Sequence, residues 1–274
     1  MAQHRHPIRH GHSVRRGRLP VGLTSNRADP QRRPAATAKP AVTKPSVTNP
    51  ATEQTQTRYT RRVTTENKTL LLIDGHSLAL RSFFGIYTMA EKTGQHIFVR
   101  SDGQHTEAVH AFLSTLLSII KDNQPSHIAV AFDLPGGTFR TAEYGEYKGG
   151  RNAIPEAFNG QIDLIKKMLG ALNIPALTYE NYEADDIVAT LTRRGTEAGY
   201  KVLILSGDRD IFQLVTDDVT LLYPVTTGPS KGIQRMDPAA IEKKTKVPPH
   251  MYPDLAALTG EQADNLPGVP GVGP

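Results

Sequence analysis

Four aspartates stand just beyond short apolar runs: Asp74 after 70–73, Asp133 after 128–132, and Asp208 and Asp210 after 202–205 and the pair Ser206-Gly207. Three more carboxylates, Glu183, Asp185 and Asp186, open a helical pattern at 184–198, and Glu261 and Asp264 lie in a polar stretch before Pro267. In open α/β sheets the ligand site forms beyond the carboxyl ends of the strands, so parallel strands would aim the first four acids at one edge. Taken singly, each is also the ordinary cap or turn acid that follows a strand. Acids in a helix's first turn are favoured by about 0.3–1 kcal/mol each. Glu183 and Asp186, three apart, share a face, with Asp185 at its rim. Three carboxylates in four residues repel one another, and nine in one pocket need divalent cations to stay charged. The chain has no cysteine, so the donors are oxygens, which select Mg²⁺ or Mn²⁺ over zinc or copper. Carboxylates for two ions about 3.5–4 Å apart suit in-line phosphoryl displacement. The chemistry implied is metal-dependent phosphodiester hydrolysis.

A basic counterpart lies at 134–152, a stretch rich in glycine, aromatics and cations: Phe139-Arg140, Tyr144, Tyr147-Lys148 and Arg151. Interleaved rings and cations suit single-stranded nucleic acid, the rings stacking bases and the cations holding phosphates. Lys148 or Arg151 could also stabilise charge developing on the scissile phosphate. Arg81, beyond Asp74, is a further phosphate contact or a surface ion-pair partner. The last residues, with Gly268, Gly271 and Gly273, have the spacing of a helix–hairpin–helix turn, which offers backbone N–H groups to duplex phosphates without reading bases.

The elements that must position these groups alternate. Apolar runs at 70–73, 128–132 and 202–205 are separated by helical patterns at 76–87, 105–122, 156–172 and 184–198. That order predicts an α/β fold with a mainly parallel central sheet flanked by helices. The expected organisation is a tail at 1–68, an α/β domain at 69–236 interrupted by a long functional loop or mobile element at 134–152, and a helical portion from 237 to 274. The net charge of +5 describes neither part: residues 1–68 carry 14 Lys and Arg against 3 acids, and residues 69–274 carry 18 against 24. The first 68 residues also hold 7 of the 20 prolines and one aromatic, Tyr59. Such a segment buries too little apolar surface to offset chain entropy and is expected to be disordered. It fits a plain extension, a polybasic arm drawn to phosphate, or an organellar targeting segment. No apolar run approaches the ~20 residues of a membrane span, so no membrane partner is expected.

Six ordered motifs carry a family resemblance: Leu72-Ile73-Asp74-Gly75-His76; Phe132-Asp133; Phe139-Arg140 with Tyr144, Tyr147-Lys148 and Arg151; Tyr182-Glu183-Ala184-Asp185-Asp186; Asp208-Arg209-Asp210; and Asp264-Asn265-Leu266-Pro267-Gly268-Val269. Through them residues 69–274 resemble the 5′-nuclease (5′→3′ exonuclease) domain of bacterial DNA polymerase I, within the flap endonuclease family. The resemblance implies that 69–236 is a PIN-like nuclease domain with a helical arch at about 134–155 over the metal site, and that 237–274 begins a helix–hairpin–helix region gripping duplex DNA. It implies that Asp74, Asp133, Glu183, Asp185 and Asp186 hold the catalytic ion and that Asp208, Asp210, Glu261 and Asp264 serve a second. Arg81, Arg140, Lys148 and Arg151 would bind phosphates around the arch. The implied substrate is DNA with a 5′ flap, or a 5′ end next to duplex, cut by a monomer of the bacterial cytoplasm and nucleoid during replication and repair. A polymerase domain would accompany it in the full-length protein.

Three features depart from the family pattern. Glu261 stands where relatives often carry Asp, Leu80 where an aromatic often precedes the Arg, and the sequence ends at Pro274 within the hairpin, so the duplex grip is expected to be cut short. Two other functions remain open: a truncated, non-catalytic fragment that at most binds DNA, and a PIN-type ribonuclease using similar acids. A phospho-Asp phosphatase fits less well, since Asp74-Gly75-His76 lacks a second Asp two residues on.

Overall fold

The computed structural model describes residues 68–95, 98–150, 153–225 and 232–273. The basic tail expected to be disordered therefore lies outside the described residues, apart from Lys68, as does Arg151. Strand β1 (Thr69–Asp74) is central in a six-stranded sheet, with β2 (His127–Ala131) and β3 (Ala176–Leu177) to one side. On the other side lie β4 (Lys201–Leu205), β5 (Val219–Val225) and β6 (Gly232–Met236). All pairings are parallel except β5 with β6. The chain leaves β1 first toward β2 and later returns to its other side as β4, so the strand order switches at β1 and β4. A crevice forms beyond the carboxyl ends at such a switch.

The run Leu70-Leu71-Leu72-Ile73 is continuously apolar because helices cover both faces of the sheet. Leu71 and Ile73 point into a core with Phe83, Phe112, Leu116, Ile165 and Leu169, supplied by α1 (Gly75–Thr93), α2 (Glu107–Asn123) and α4 (Gln161–Ala171). Leu72 and Ile204 point the other way, into a core with Val188, Phe212, Val219 and Ile241. That side is closed by α5 (Ala184–Glu197), the 3₁₀ turn Asp210–Leu214 and α6 (Pro238–Thr245). Among the described residues, no helix is long and apolar enough to cross a membrane.

The structure departs from the sequence reading at three places. The single helical pattern at 156–172 is a 3₁₀ turn, Glu156–Phe158, followed by α4, with Gly160 between them at φ 76°. In the segment expected as an arch, the described residues are helical over α3 (Phe139–Glu143) alone. Glycines at 136, 137, 145, 149 and 150 make a longer helix costly there, by roughly 1 kcal/mol each relative to Ala. The helix–hairpin–helix expectation is met only as α7 (Tyr252–Thr259) and a turn, without a second helix among the described residues. In that turn Gly260 and Gly268, both at positive φ, lie back to back, and a Cβ on Gly268 would strike the backbone of Thr259 and Gly260. Gly268 thus serves close backbone packing, while Gly271 has open space around it.

Candidate active site

The carboxyl ends of β1, β2 and β4 lie side by side, because Ile73 is in register with Val130 and Leu205. Asp74, Asp133 and Asp208 therefore reach the same edge, although 134 positions separate the first from the last. Asp74 is 5 % exposed. One of its oxygens caps α1 by accepting the Ser77 N–H at 3.0 Å, and the other accepts the Ser206 hydroxyl at 3.0 Å. Ser206 Oγ also accepts the Asp208 N–H at 3.1 Å, so one buried hydroxyl sets the spacing of two acids. Burial pushes the Asp74 carboxyl up to about 6, against these hydrogen bonds and with the charges of Asp133 and Asp208 adding to the rise.

Asp133 is held from two sides. Its N–H donates to His76 Nδ1 at 3.0 Å, and its Oδ1 accepts the Ala184 N–H at the start of α5, at 2.7 Å. Burial lowers the His76 pKa, outweighing the nearby Asp133 charge. The acceptor role of Nδ1 leaves the ring proton on Nε2.

The first turn of α5 divides its acids differently from the sequence reading. Asp185, expected at the rim, is the one that enters the cluster. Its Oδ1 is buried without a hydrogen-bond partner, and burial, together with the charges of Asp74, Asp208 and Asp133, raises its pKa well above the ordinary value. Asp186 faces the other way. It takes a bidentate pair from Arg140, both N···O distances 2.8 Å, and this hydrogen bonding holds its pKa below the ordinary value. Asp186 is thus an anchor for the arch rather than a fifth acid beside Asp74. Successive helical residues are about 100° apart, so one face of α5 cannot serve both. Glu183 completes the outer face, accepting from Lys148 Nζ at 2.9 Å and Tyr147 Oη at 3.2 Å. Burial opposes the Lys148 charge, but the Glu183 carboxylate more than compensates, and the Lys148 pKa is raised.

Asp210, at the head of the 3₁₀ turn, donates its N–H to Asp208 Oδ1 at 2.9 Å. Burial pushes Asp210 up to about 6, aided by Asp208, Asp264 and Glu261. The second set therefore converges on the same edge, with Asp208 common to both. The arch is tied to it: Lys148 N–H donates to the Asp264 carbonyl at 3.0 Å, and Asn265 Nδ2 to the Glu146 carbonyl at 2.9 Å. Arg81 lies against Gly207, where any Cβ would collide with its guanidinium, and its Nε is buried without a hydrogen-bond partner. The strand-end acids and the first turn of α5 meet at one edge, yet among the described residues no three of them form a ready-made metal-ligand group. Glu183 and Asp186 are turned toward cations.

Sequence reasoning missed the roles of Ser77, Ser206 and His76 in holding these acids. The signal was present in Ser206, which directly follows β4, and in His76, two residues after Asp74.

A parallel sheet with carboxylates at its switch point and a basic segment across them defines the class: residues 69–246 match the family model of the 5′-3′ exonuclease N-terminal, resolvase-like domain, and the chain belongs to that family. It is 46% identical over 208 residues to DNA polymerase I of Mycobacterium bovis, an alignment covering 75% of this chain and 22% of that protein. To DNA polymerase I of Bacillus caldotenax it is 40% identical over 206 residues, again 75% and 22%. The chain thus spans about a fifth of the length of these relatives. The fold is shared with the bacteriophage T5 D15 protein co-crystallised with metal ions, at 23% identity and a TM-score of 0.56, covering 75% of this chain and 71% of that one.

Proposed function

We propose that this chain is a structure-specific 5′-nuclease that hydrolyses DNA phosphodiesters at 5′ ends and 5′ flaps, using two Mg²⁺ or Mn²⁺ ions. The observation that carries the reading is the buried, unpartnered Asp185 Oδ1 among the charges of Asp74, Asp133 and Asp208. An ionised oxygen without a donor is costly to bury, and a hard divalent cation is the partner that an all-oxygen donor set accepts. Asp74, Asp133, Asp185 and Asp208 would hold one ion. Asp208, Asp210, Glu261 and Asp264 would hold the other, with Glu183 at the boundary beneath Lys148. Bound there, the ions would supply a hydroxide nucleophile and neutralise charge on the attacking and leaving oxygens.

The protein's own groups do the rest. Ser77 and Ser206 fix both oxygens of Asp74, and His76 and the first amide of α5 fix Asp133, so the acids are placed before substrate arrives. Arg140 pairs with Asp186 and Lys148 with Glu183 at the first turn of α5. A substrate phosphate that reaches them exchanges one oxygen partner for another, and Arg81 offers a further contact beside Gly207. Tyr147 lies against the Lys148 ammonium, 4.9 Å from ring centroid to Nζ, available to a base at the junction. The relatives are named DNA polymerase I, and we infer that this nuclease clears 5′ ends ahead of a polymerase during replication and repair.

The test is cleavage of 5′-labelled flap DNA with Mg²⁺. The expected product is cut near the junction and leaves a 5′-phosphate on the duplex, and EDTA abolishes it. Cleavage of RNA without dependence on a 5′ end would favour the PIN-type ribonuclease instead. A cooperatively folding chain that leaves flap DNA intact would favour a binding fragment.

A further inference from the structure

We propose that the groove between the end of β3 and the outer face of α5 is a stacking track for the unpaired strand of the substrate, seating nucleobases just outside the acid cluster. The inference rests on the nuclease reading and says where the single-stranded arm runs. The groove has a volume of about 650 Å³, with Leu177, Ile187 and Leu191 in its lining and Tyr179 and Tyr182 beside them. Tyr179 is 64% exposed and Tyr182 44%, a large aromatic display for a surface loop.

The rings form a row. Tyr179 and Tyr182 are 5.5 Å apart, Phe139 is 5.6 Å from Tyr182, and the Arg140 guanidinium lies 4.6 Å from the Phe139 centroid. The row therefore begins at the cation that grips Asp186, and Asp186 also lines the groove. Arg194, exposed at the far end of the groove, is two turns from Asp186 along α5, about 12 Å. Rings bounded by a cation at each end match single-stranded nucleic acid: every base has a face to stack, and the phosphates take the cations. A duplex keeps its base faces inside the helix, so the groove selects the unpaired arm. Through Asp186 the groove adjoins Arg140, whose segment also carries Lys148 onto Glu183, so the arm would run past the cations that flank the acids.

The experiment compares the full chain with its Tyr179→Ala, Tyr179→Phe and Arg194→Ala variants. Anisotropy of a labelled oligothymidylate and of an abasic strand of equal length is read in EDTA. The wild type should prefer thymidylate over the abasic strand by roughly tenfold, the scale of one stacked base. Tyr179→Ala should erase that preference and Tyr179→Phe should keep it. Arg194→Ala should weaken both strands alike and reduce the salt slope by about one. Because Tyr179 is exposed, the Tyr179→Ala melting temperature should match the wild type, separating lost stacking from lost folding. Unchanged thymidylate binding by Tyr179→Ala, or equal binding of the two strands by the wild type, overturns the track. The nuclease reading is judged separately: if the wild type cuts flap DNA while Tyr179→Ala binds thymidylate normally, the track alone falls. If base preference follows Tyr179 but no cutting occurs, the nuclease reading falls and the track stands.

Discussion

Asp185 and Asp186 are adjacent and chemically identical, yet the fold gives them opposite environments. Asp185 is buried among like charges with its Oδ1 unpartnered and its pKa raised. Asp186 accepts a two-pronged Arg140 contact and its pKa is lowered. The difference shows how the roughly 100° between successive helical residues separates a buried carboxylate left without a partner from one already satisfied by the chain. The same division runs through the whole site. Asp74 and Asp210, both pushed up to about 6, lie on the inner side, and Glu183, beneath Lys148, lies on the outer. Stability is given up on the inner side, a usual cost of an active site.

If the division is functional, breaking the inner side should have the largest effect. Asp185→Asn or Asp133→Asn is expected to lower single-turnover cleavage of flap DNA by on the order of a hundredfold or more, with flap binding retained. Asp186→Asn should cost roughly tenfold or less. Equal losses at 185 and 186 in that assay would erase the distinction. Next in size is Lys148→Ala, for which roughly tenfold losses in both rate and affinity are expected, the affinity falling further as salt rises.

A third measurement follows the pH dependence. Asp74, with an ordinary value of 3.8 and a folded value of about 6, binds its proton more tightly in the folded chain. Its contribution is therefore most favourable below about pH 4 and is lost as pH rises through about 6; Asp210 and Asp185 share that sign. In EDTA, Asp74→Asn should melt a few degrees above the wild type at neutral pH and show a weaker decline between pH 4 and 7, whereas Mg²⁺ should narrow the gap. A melting temperature lowered by Asp74→Asn in EDTA would contradict burial as the dominant influence. The smallest effect is expected on the outer side: removing the Arg140 contact by Asp186→Asn should destabilise by about 1 kcal/mol. The two side chains are 32% and 24% exposed, which keeps such a pair weak. Urea denaturation reads that value directly.

Much of this architecture was legible before any coordinates. The runs at 70–73, 128–132 and 202–205 are β1, β2 and β4 within a residue or so, because a strand buried on both faces reads as unbroken apolar sequence. The two-residue β3 is too short to give a pattern. Strand β5 contains Pro224, opposite Ile233 of β6, and proline inside a strand argues against one by sequence alone. Helix α5 was visible, but the direction of its acids was not, since periodicity places Glu183 and Asp186 on a shared face without saying which face meets the sheet.

Composition and spacing alone therefore gave the fold class and the sheet edge that the strand-end acids reach, since these depend on residue type and strand order. Tertiary structure decided which acid lies inside, which is bound by the arch, and that Ser206 and His76 hold the cluster in place. Those outcomes depend on contacts such as Ser206 with Asp74, 132 positions apart, and on local burial, neither of which is encoded in any short stretch of chain.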